Sequence, residues 1–204
     1  MEEEKTFDLT PYGHNSTKRL TVQAAEDLLN KEFNVLDHGF VTLVDYMGGD
    51  DAIVQAARVS YGRGTKQVNE DRGLVRYLMR HRHTTPFEMV ELKFHAKLPI
   101  FVARQWIRHR TANVNEYSGR YSILDKEFYI PKPEHLATQS KNNRQGRDEV
   151  VSLEEAAEIL NLLRQDAEMA YSHYEHLLNE DTKNPGKPLD PDRSMLAREL
   201  ARMN

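Results

Sequence analysis

The chain has 204 residues, 39% of them hydrophobic, and a net charge of -4, which indicates a globular domain large enough to bury its own core. It contains no cysteine, which excludes disulfides, thiolate metal sites and a cysteine nucleophile. No apolar run approaches the ~18 residues of a membrane span. The acidic residues 1–5 lack the apolar segment of a secretory signal, so we expect a cytoplasmic protein without membrane contact.

The amino-terminal third is predicted to contain a polar segment, a strand region and a first helix. Residues 1–33 are polar, with a short helix near 21–31. Residues 35–46 are rich in β-formers and end before two glycines, which indicates a strand or a bent hairpin. Asp50 or Asp51 then begins a helix whose apolar residues recur at helical spacing.

A second helix and a longer strand are predicted next. Glycines at 62–64 break the chain, and Asn69 or Asp71 begins a helix that ends near His81. Residues 88–98 alternate as a strand does, so one face is expected to be buried. That face comprises Val90, Leu92, Phe94, Ala96 and Leu98.

The middle of the chain is predicted to be a helix followed by irregular structure. Pro99 suits the first turn of a helix that runs to about Arg108. A polar loop at 113–122 and a short strand at 127–131 follow. Residues 132–148 are polar and indicate an exposed loop.

The carboxy-terminal half is predicted to be dominated by one long helix. Ser152 with Glu155 forms a capping-box pattern at its start, and apolar residues continue at helical spacing to Leu177. Residues 195–204 are predicted to be helical as well. Together these elements predict an α+β fold, with an antiparallel sheet packed by helices in a single domain over residues 1–204.

Positive charge is concentrated in one segment of this acidic chain. Residues 72–121 contain ten Lys or Arg against three Glu, a net +7, which leaves -11 for the remainder. Such a segment favours a local anion site over a general polyanion surface, because nucleic-acid binders are more often basic overall.

Within that segment, residues 108–121 carry arginines, amides and hydroxyls and little that suits a core. Arginine matches phosphate and carboxylate oxygens two at a time, while Asn, Ser and Tyr can bind a ring edge or a sugar hydroxyl. The run therefore indicates a surface that binds an anion bearing a polar ring. A solvated, salt-bridged loop is the alternative.

The pattern Arg108-His109-Arg110, seven residues and then Ser118 resembles the signature of the flavin-dependent thymidylate synthases. Asn113 departs from it, since the family usually has Ser there. The resemblance extends to residues 56–60, 83–88, 99–106 and 115–121. The family normally continues well past residue 204, so the chain is expected to be truncated at its carboxy-terminal end.

This resemblance implies an enzyme that methylates dUMP reductively to dTMP. Methylenetetrahydrofolate would be the carbon donor, FAD the hydride carrier and NADPH the reductant, without an enzyme cysteine nucleophile. It also implies a cytoplasmic homotetramer whose sites are shared between subunits, with no nucleic acid or membrane as a partner.

The resemblance also implies roles for individual residues. Those expected at the cofactor are Ser60, Thr85, Arg108, His109, Arg110, Asn113 and Glu116. Those expected at the nucleotide are Gln105, Glu116, Ser118, Arg120, Tyr121 and Arg202. Arg120 is the expected phosphate partner, because its fork of donors is bidentate.

Two residues are candidates for a catalytic role, Ser118 and His83. No acid-base triad is apparent around Ser118, so we interpret it as a residue that positions the substrate and not as a nucleophile. His83 would stack on or orient the substrate or the folate.

Several alternatives remain at the level of sequence. His81, His83, His95 and His109 lack a recognised ligand spacing and lie among arginines, so no metal site is predicted. Glu88 is either a general base or a member of a salt bridge. Phe101, Trp106, Tyr171 and Tyr174 are interpreted as packing residues. A non-enzymatic nucleotide- or RNA-binding module that uses residues 72–121 is the alternative function.

Overall fold

A computed structural model of the chain describes residues 19–59 and 68–203. The predicted α+β class is confirmed, and contacts within the chain divide it into two compact units. Unit 1 comprises Met1–Phe33 and Val41–Ala96, and unit 2 comprises Asn34–Phe40 and Lys97–Asn204. Most of the predicted polar lead-in, the glycine break at 62–64 and Ser60 lie outside the described residues.

The helices and strands of the described ranges alternate along the chain. The helices are α1 (Gln23–Glu26), α2 (Asp50–Val59), α3 (Val68–Arg80), α4 (Ile100–Trp106), α5 (Leu153–Leu178) and α6 (Arg198–Ala201). The strands are β1 (Glu32–Val35), β2 (Gly39–Met47), β3 (Glu91–Lys97), β4 (Ala137–Gln139) and β5 (Arg147–Val150). Two 3-10 turns occupy Thr85–Met89 and Pro133–His135. None of the helices in these ranges combines the length and the apolar character needed to cross a membrane.

Two sheets are present in the described residues. The first has three strands in the order β1-β2-β3, and the second is the antiparallel pair β4-β5. Of the strand or bent hairpin predicted at 35–46, the structure shows a hairpin. Its strands β1 and β2 are separated by a three-residue turn in which Leu36 has a φ of 60°.

In unit 1, helices α2 and α3 pack through the apolar faces that their periodicity predicted. Ile53 and Val54 of α2 and Leu78 of α3 are buried. Arg58 and Asp71 add an ion pair of 2.7 Å between the two helices, with side chains only 12% and 19% exposed. Charges this far from solvent interact more strongly than a surface pair.

The short helix predicted near 21–31 is confirmed in position but is only four residues long. The chain leaves the helix because Asn30 adopts a left-handed φ of 57° and its N–H donates to the carbonyl of Leu43 in β2 at 2.8 Å. The buried Tyr46 of β2 fixes α1, since its hydroxyl donates to Glu26 at 2.5 Å and accepts from the N–H of Val22 at 2.9 Å.

The strand predicted at 88–98 is present as β3, but its apolar face is not buried as expected. Leu92 and Phe94 are 56% and 51% exposed. Alternation assigns side chains to two faces, but burial requires a further layer over one of them. The strand also begins later than predicted. Residues Thr85–Met89, which include Pro86, form a 3-10 turn, so β3 starts only at Glu91.

In unit 2, α5 begins and ends as its sequence predicts. Ser152 caps the helix by accepting from the N–H of Glu155 at 3.2 Å. Asn179 ends it in the left-handed conformation, with φ 47° and ψ 32°. The buried Asn179 amide then holds the returning chain, donating to the carbonyls of Asp190 and Arg193 at 2.9 and 3.0 Å.

The core of unit 2 lies between α5 and α6. Tyr174, Leu178 and Ala201 are buried together. The Tyr174 hydroxyl accepts from the N–H of Leu124 at 3.1 Å, and the Tyr171 hydroxyl donates to the Leu124 carbonyl at 2.6 Å. Burial raises the pKa of Tyr171, so it remains protonated and able to donate. The prediction that the two tyrosines are packing residues is confirmed.

Two sequence predictions for the segment before α5 are wrong. No strand forms at 127–131, where the N–H of Ile130 donates to the Asp37 carboxylate at 3.3 Å. The loop expected at 132–148 contains a 3-10 turn and most of the β4-β5 hairpin. The Gln139 side chain stabilises the hairpin tip by donating to three carbonyls, which periodicity does not reveal.

The helix predicted at 195–204 is limited to the four residues of α6. The N–H of Leu196 donates to the Leu177 carbonyl at 3.1 Å, so the segment first attaches to the end of α5.

Candidate functional site

The Arg-His-Arg motif lies in a turn directly after α4. Pro99 is the N-cap and not the first helical residue, and the helix ends at Trp106, so Arg108 lies past its end. The N–H groups of Arg108 and His109 continue the turn to the carbonyls of Gln105 and Trp106, at 3.2 and 3.0 Å. Gln105 is exposed on the last turn of α4.

The side chains of this motif are exposed and carry unused donors. Within the described ranges, Arg108, His109 and Arg110 make no side-chain hydrogen bond or ion pair, and the same holds for Asn113 and Glu116. Guanidinium groups without an acidic partner retain their full charge toward an incoming anion. The segment is therefore suited to binding phosphate oxygens.

A tight turn at residues 118–121 follows the motif. The N–H groups of Tyr121 and Ser122 both donate to the Ser118 carbonyl, at 3.1 and 3.2 Å. The Ser118 hydroxyl accepts from the N–H of Arg120 at 3.3 Å. In the described part of the chain no side chain that could act as a base is hydrogen-bonded to this hydroxyl, and a serine hydroxyl needs an adjacent base to become nucleophilic.

Helix α6 lies against this turn. Glu199 pairs with Arg120 at 3.3 Å, and both side chains are more than half exposed. Gly119 is buried, and a Cβ there would lie 3.3 Å from a guanidinium nitrogen of Arg202. The structure thus brings the predicted nucleotide residues Arg120 and Arg202 to one turn although they are far apart in sequence.

Arg198 connects the turn to the end of α5. Its Nη1 donates to the Tyr121 carbonyl at 2.5 Å, while its Nε and Nη2 donate to the Glu180 carboxylate at 2.9 and 2.6 Å. The Glu180 carboxylate also accepts from the N–H of Gly186 at 2.9 Å. The Arg198 hydrogen bond, which outweighs the opposing effect of burial, lowers the pKa of Glu180.

The sequence analysis missed Glu180, Arg198 and Glu199. Arg198 was detectable in principle, because it precedes Arg202 by four residues and therefore shares a helix face with it. Nothing in the local pattern indicates Glu180, whose role depends on the return of the chain after α5.

The remaining predicted residues lie in unit 1. His83 follows α3, and its ring meets that of Tyr77 edge-on, with centroids 6.0 Å apart. The rings of Tyr77 and His81 are 4.3 Å apart. Thr85 is exposed at the start of its 3-10 turn. The predicted cofactor and catalytic residues are thus distributed over both units, and Ser60 lies outside the described ranges.

Three other sequence interpretations can be compared with the described residues. The described residues contain no group of three or more His, Asp or Glu side chains that could hold a metal ion. Glu88 makes no ion pair in the described part of the chain, so the salt bridge considered for it is absent there. Phe101 and Trp106 are 61% and 51% exposed, so their assignment to the core is wrong for this chain alone.

Comparison with known proteins identifies a family. Residues 42–204 match the profile of the family described as "Thymidylate synthase complementing protein". The flavin-dependent thymidylate synthase of Rickettsia bellii is 58% identical over 192 residues, covering 94% of this chain and 65% of that protein. The flavin-dependent thymidylate synthase of Gluconobacter oxydans is 61% identical over 188 residues, covering 92% of this chain and 58% of that protein. The chain therefore spans about two thirds or less of the length of these relatives.

Solved structures show the same likeness. The crystal structure of the UMP/dUMP methylase PolB from Streptomyces cacaoi bound with 5-Br UMP is 34% identical, with a TM-score of 0.66 over 81% of this chain and 65% of that chain. The same methylase bound with 5-Br dUMP gives a TM-score of 0.65 over 81% of this chain and 66% of that chain.

Proposed function

Because the chain belongs to the thymidylate synthase complementing protein family, we propose that it is a flavin-dependent thymidylate synthase. It converts dUMP to dTMP by reductive methylation, with methylenetetrahydrofolate as the carbon donor and NADPH as the reductant. The observation that carries the proposal is the 118–121 turn, where Ser118, Arg120 and Arg202 meet after the exposed Arg-His-Arg motif. A non-enzymatic nucleotide- or RNA-binding module is not favoured by these relatives.

The turn supplies the groups that a pyrimidine nucleotide requires. Arg120 binds the phosphate through its bidentate fork. The phosphate then replaces the exposed carboxylate of Glu199 as the partner of Arg120. Ser118, which precedes Gly119, and Arg202, whose guanidinium group lies near Gly119, position the uracil ring together with Gln105 and Tyr121. A pyrimidine nucleotide as the ligand is supported by the neighbours solved with 5-Br UMP and 5-Br dUMP.

The Arg-His-Arg motif is proposed to hold FAD. Two exposed guanidinium groups and an imidazole without partners in the described residues fit the anionic pyrophosphate and the polar ring of a flavin. The family resemblance assigns cofactor contacts to Asn113 and Glu116 of unit 2 and to Thr85 and Ser60 of unit 1 as well, and each is proposed as such a contact by itself. The flavin would supply the hydride, chemistry that no side chain of this chain provides.

The protein's own contribution is orientation and charge. The chain has no cysteine, so no thiolate can add to the uracil ring. The arginines bind the anionic groups, and Ser118, whose hydroxyl already accepts from Arg120, orients the ring. His83, exposed beside Tyr77, is proposed to stack on or orient the substrate or the folate.

A homotetramer with sites shared between subunits is also proposed. Its support is exposed apolar side chains in each unit. Leu92 and Phe94 of β3 in unit 1, and Phe101 and Trp106 of α4 in unit 2, are each at least half exposed. Size-exclusion chromatography with light scattering tests it, and a monomer at working concentration would contradict it. A cytoplasmic location stays a prediction.

A spectrum and an assay test the proposed function. The purified protein should bind FAD with the visible absorbance of a flavoprotein. It should form dTMP only when dUMP, methylenetetrahydrofolate and NADPH are all present. Protein that binds no flavin and forms no dTMP, but binds RNA with a strong salt dependence, would support the alternative.

A further inference from the structure

Arg198 connects three segments of unit 2 that are distant in sequence. It begins α6, pairs with Glu180 at the end of α5, and donates to the Tyr121 carbonyl in the 118–121 turn. Its side chain is 25% exposed and that of Glu180 only 7%. The pair is therefore shielded from solvent to a degree that the Arg120–Glu199 pair is not.

The geometry uses the shape of the guanidinium group and not only its charge. Nε and Nη2 form the two-point contact with the carboxylate, and Nη1 on the other edge reaches the carbonyl. A planar fork with donors on separate edges can make both contacts at once. A lysine has one nitrogen on a flexible stem and cannot reproduce the two-sided arrangement.

The Tyr121 carbonyl is the point at which this arrangement reaches the proposed nucleotide site. Ser118, Arg120 and Tyr121 belong to one turn, so a shift of its last carbonyl moves the other two residues. Glu180 is itself fixed by the N–H of Gly186 at 2.9 Å, which gives Arg198 a firm anchor.

We propose that Arg198 is a positioning residue for dUMP: anchored by Glu180, it holds the 118–121 turn in the conformation that presents Arg120 and Ser118 to the nucleotide. This inference rests on the proposed function of the turn. Arg198 donates to Glu180 and to the Tyr121 carbonyl, so its effect on the nucleotide would be exerted through the turn.

The test compares Arg198→Lys with a matched control, Arg193→Lys. Arg193 also donates to the end of α5, to the His176 carbonyl at 2.9 Å, but it does not contact the turn. Dissociation constants for dUMP and FAD are measured by calorimetry, and folding is checked by thermal unfolding. Arg198→Lys should weaken dUMP binding about tenfold, as expected for the loss of a charge-assisted hydrogen bond, with FAD affinity unchanged. Arg193→Lys should change neither.

The outcomes separate this inference from the proposed function. Wild-type protein that binds dUMP, with an Arg198→Lys variant that binds it equally well, would overturn the inference alone. Wild-type protein that does not bind dUMP would overturn both. A merely structural role would lower dUMP and FAD affinity together, and that result also counts against Arg198 as a positioning residue.

A second variant covers the case in which Arg198→Lys does not fold. Glu180→Gln keeps the shape of the anchor and removes its charge, so Arg198 should hold the turn less firmly. The expected result is a loss of dUMP affinity smaller than tenfold, again with FAD affinity unchanged. Unchanged dUMP affinity in a folded Glu180→Gln protein would overturn the inference.

Discussion

Replacing Arg120 with alanine should separate nucleotide binding from folding, because the structure assigns this residue almost no part in stability. Its one ion pair, with Glu199 at 3.3 Å, joins side chains that are 58% and 59% exposed. A pair that exposed contributes about 0–1 kcal/mol. A lost bidentate phosphate contact should cost at least about 1.4 kcal/mol, or tenfold in dUMP affinity.

Glu199→Ala is the control, since it breaks the same ion pair but leaves the arginine in place. Both variants should unfold within about 1 kcal/mol of wild type in a urea titration. Calorimetry should then show that Arg120→Ala loses dUMP affinity at least about tenfold, whereas Glu199→Ala binds dUMP as tightly as wild type or tighter. Equal losses in the two variants would refute the reasoning, as would a parallel loss of FAD affinity in Arg120→Ala.

Four further predictions follow from the described contacts. Arg108→Ala and Arg110→Ala should each weaken FAD binding by about 1.5–3 kcal/mol in a flavin titration, and unchanged titrations in both would remove them from the cofactor site. Ser118→Ala should retain measurable dTMP formation with flavin and dUMP still bound, and background activity under those conditions would contradict the positioning role. Leu178→Ala, in the core of unit 2, should lower the free energy of unfolding by about 2–5 kcal/mol in urea, and a loss under 1 kcal/mol would indicate a site that collapses. The pKa of Glu180 lies below its ordinary 4.5, so its stabilising effect is present above that pH and is lost as the pH falls through the folded-state pKa. Wild type should therefore lose thermal stability between about pH 5 and pH 3 more steeply than Glu180→Gln does.

The elements that could be predicted from sequence are those whose signals are local. Helix α5 combines a capping box with a long apolar periodicity, and the observed helix begins and ends close to the residues that these signals predict. Helices α2 and α3 could also be predicted, because their apolar residues recur at helical spacing. The β4-β5 hairpin was missed because its strands are short and polar, and the Gln139 side chain stabilises it without an apolar pattern.

The residues of the candidate site also differ in whether a local sequence signal identifies them. The residues from Gln105 to Tyr121 lie in one continuous segment, so a motif identifies them together. Arg198 and Glu180 matter because α5 and the chain beyond it return to the turn, and that return is set by tertiary packing. The exposed face of β3 shows the opposite error, since alternation predicted burial that a single chain does not provide.

The buried Gly119 has a consequence for how this protein tolerates mutation. A Cβ at this position would lie 3.0 Å from the Leu124 side chain and 3.3 Å from the Arg202 guanidinium group. Leu124 is in turn held by the hydroxyls of Tyr171 and Tyr174. Leu124 thus links the turn to the two tyrosines of α5, so a change in core packing at Leu124 should shift the turn and with it Arg120. A random screen for altered nucleotide affinity should accordingly recover substitutions at Leu124 and at both tyrosines, residues that touch no ligand.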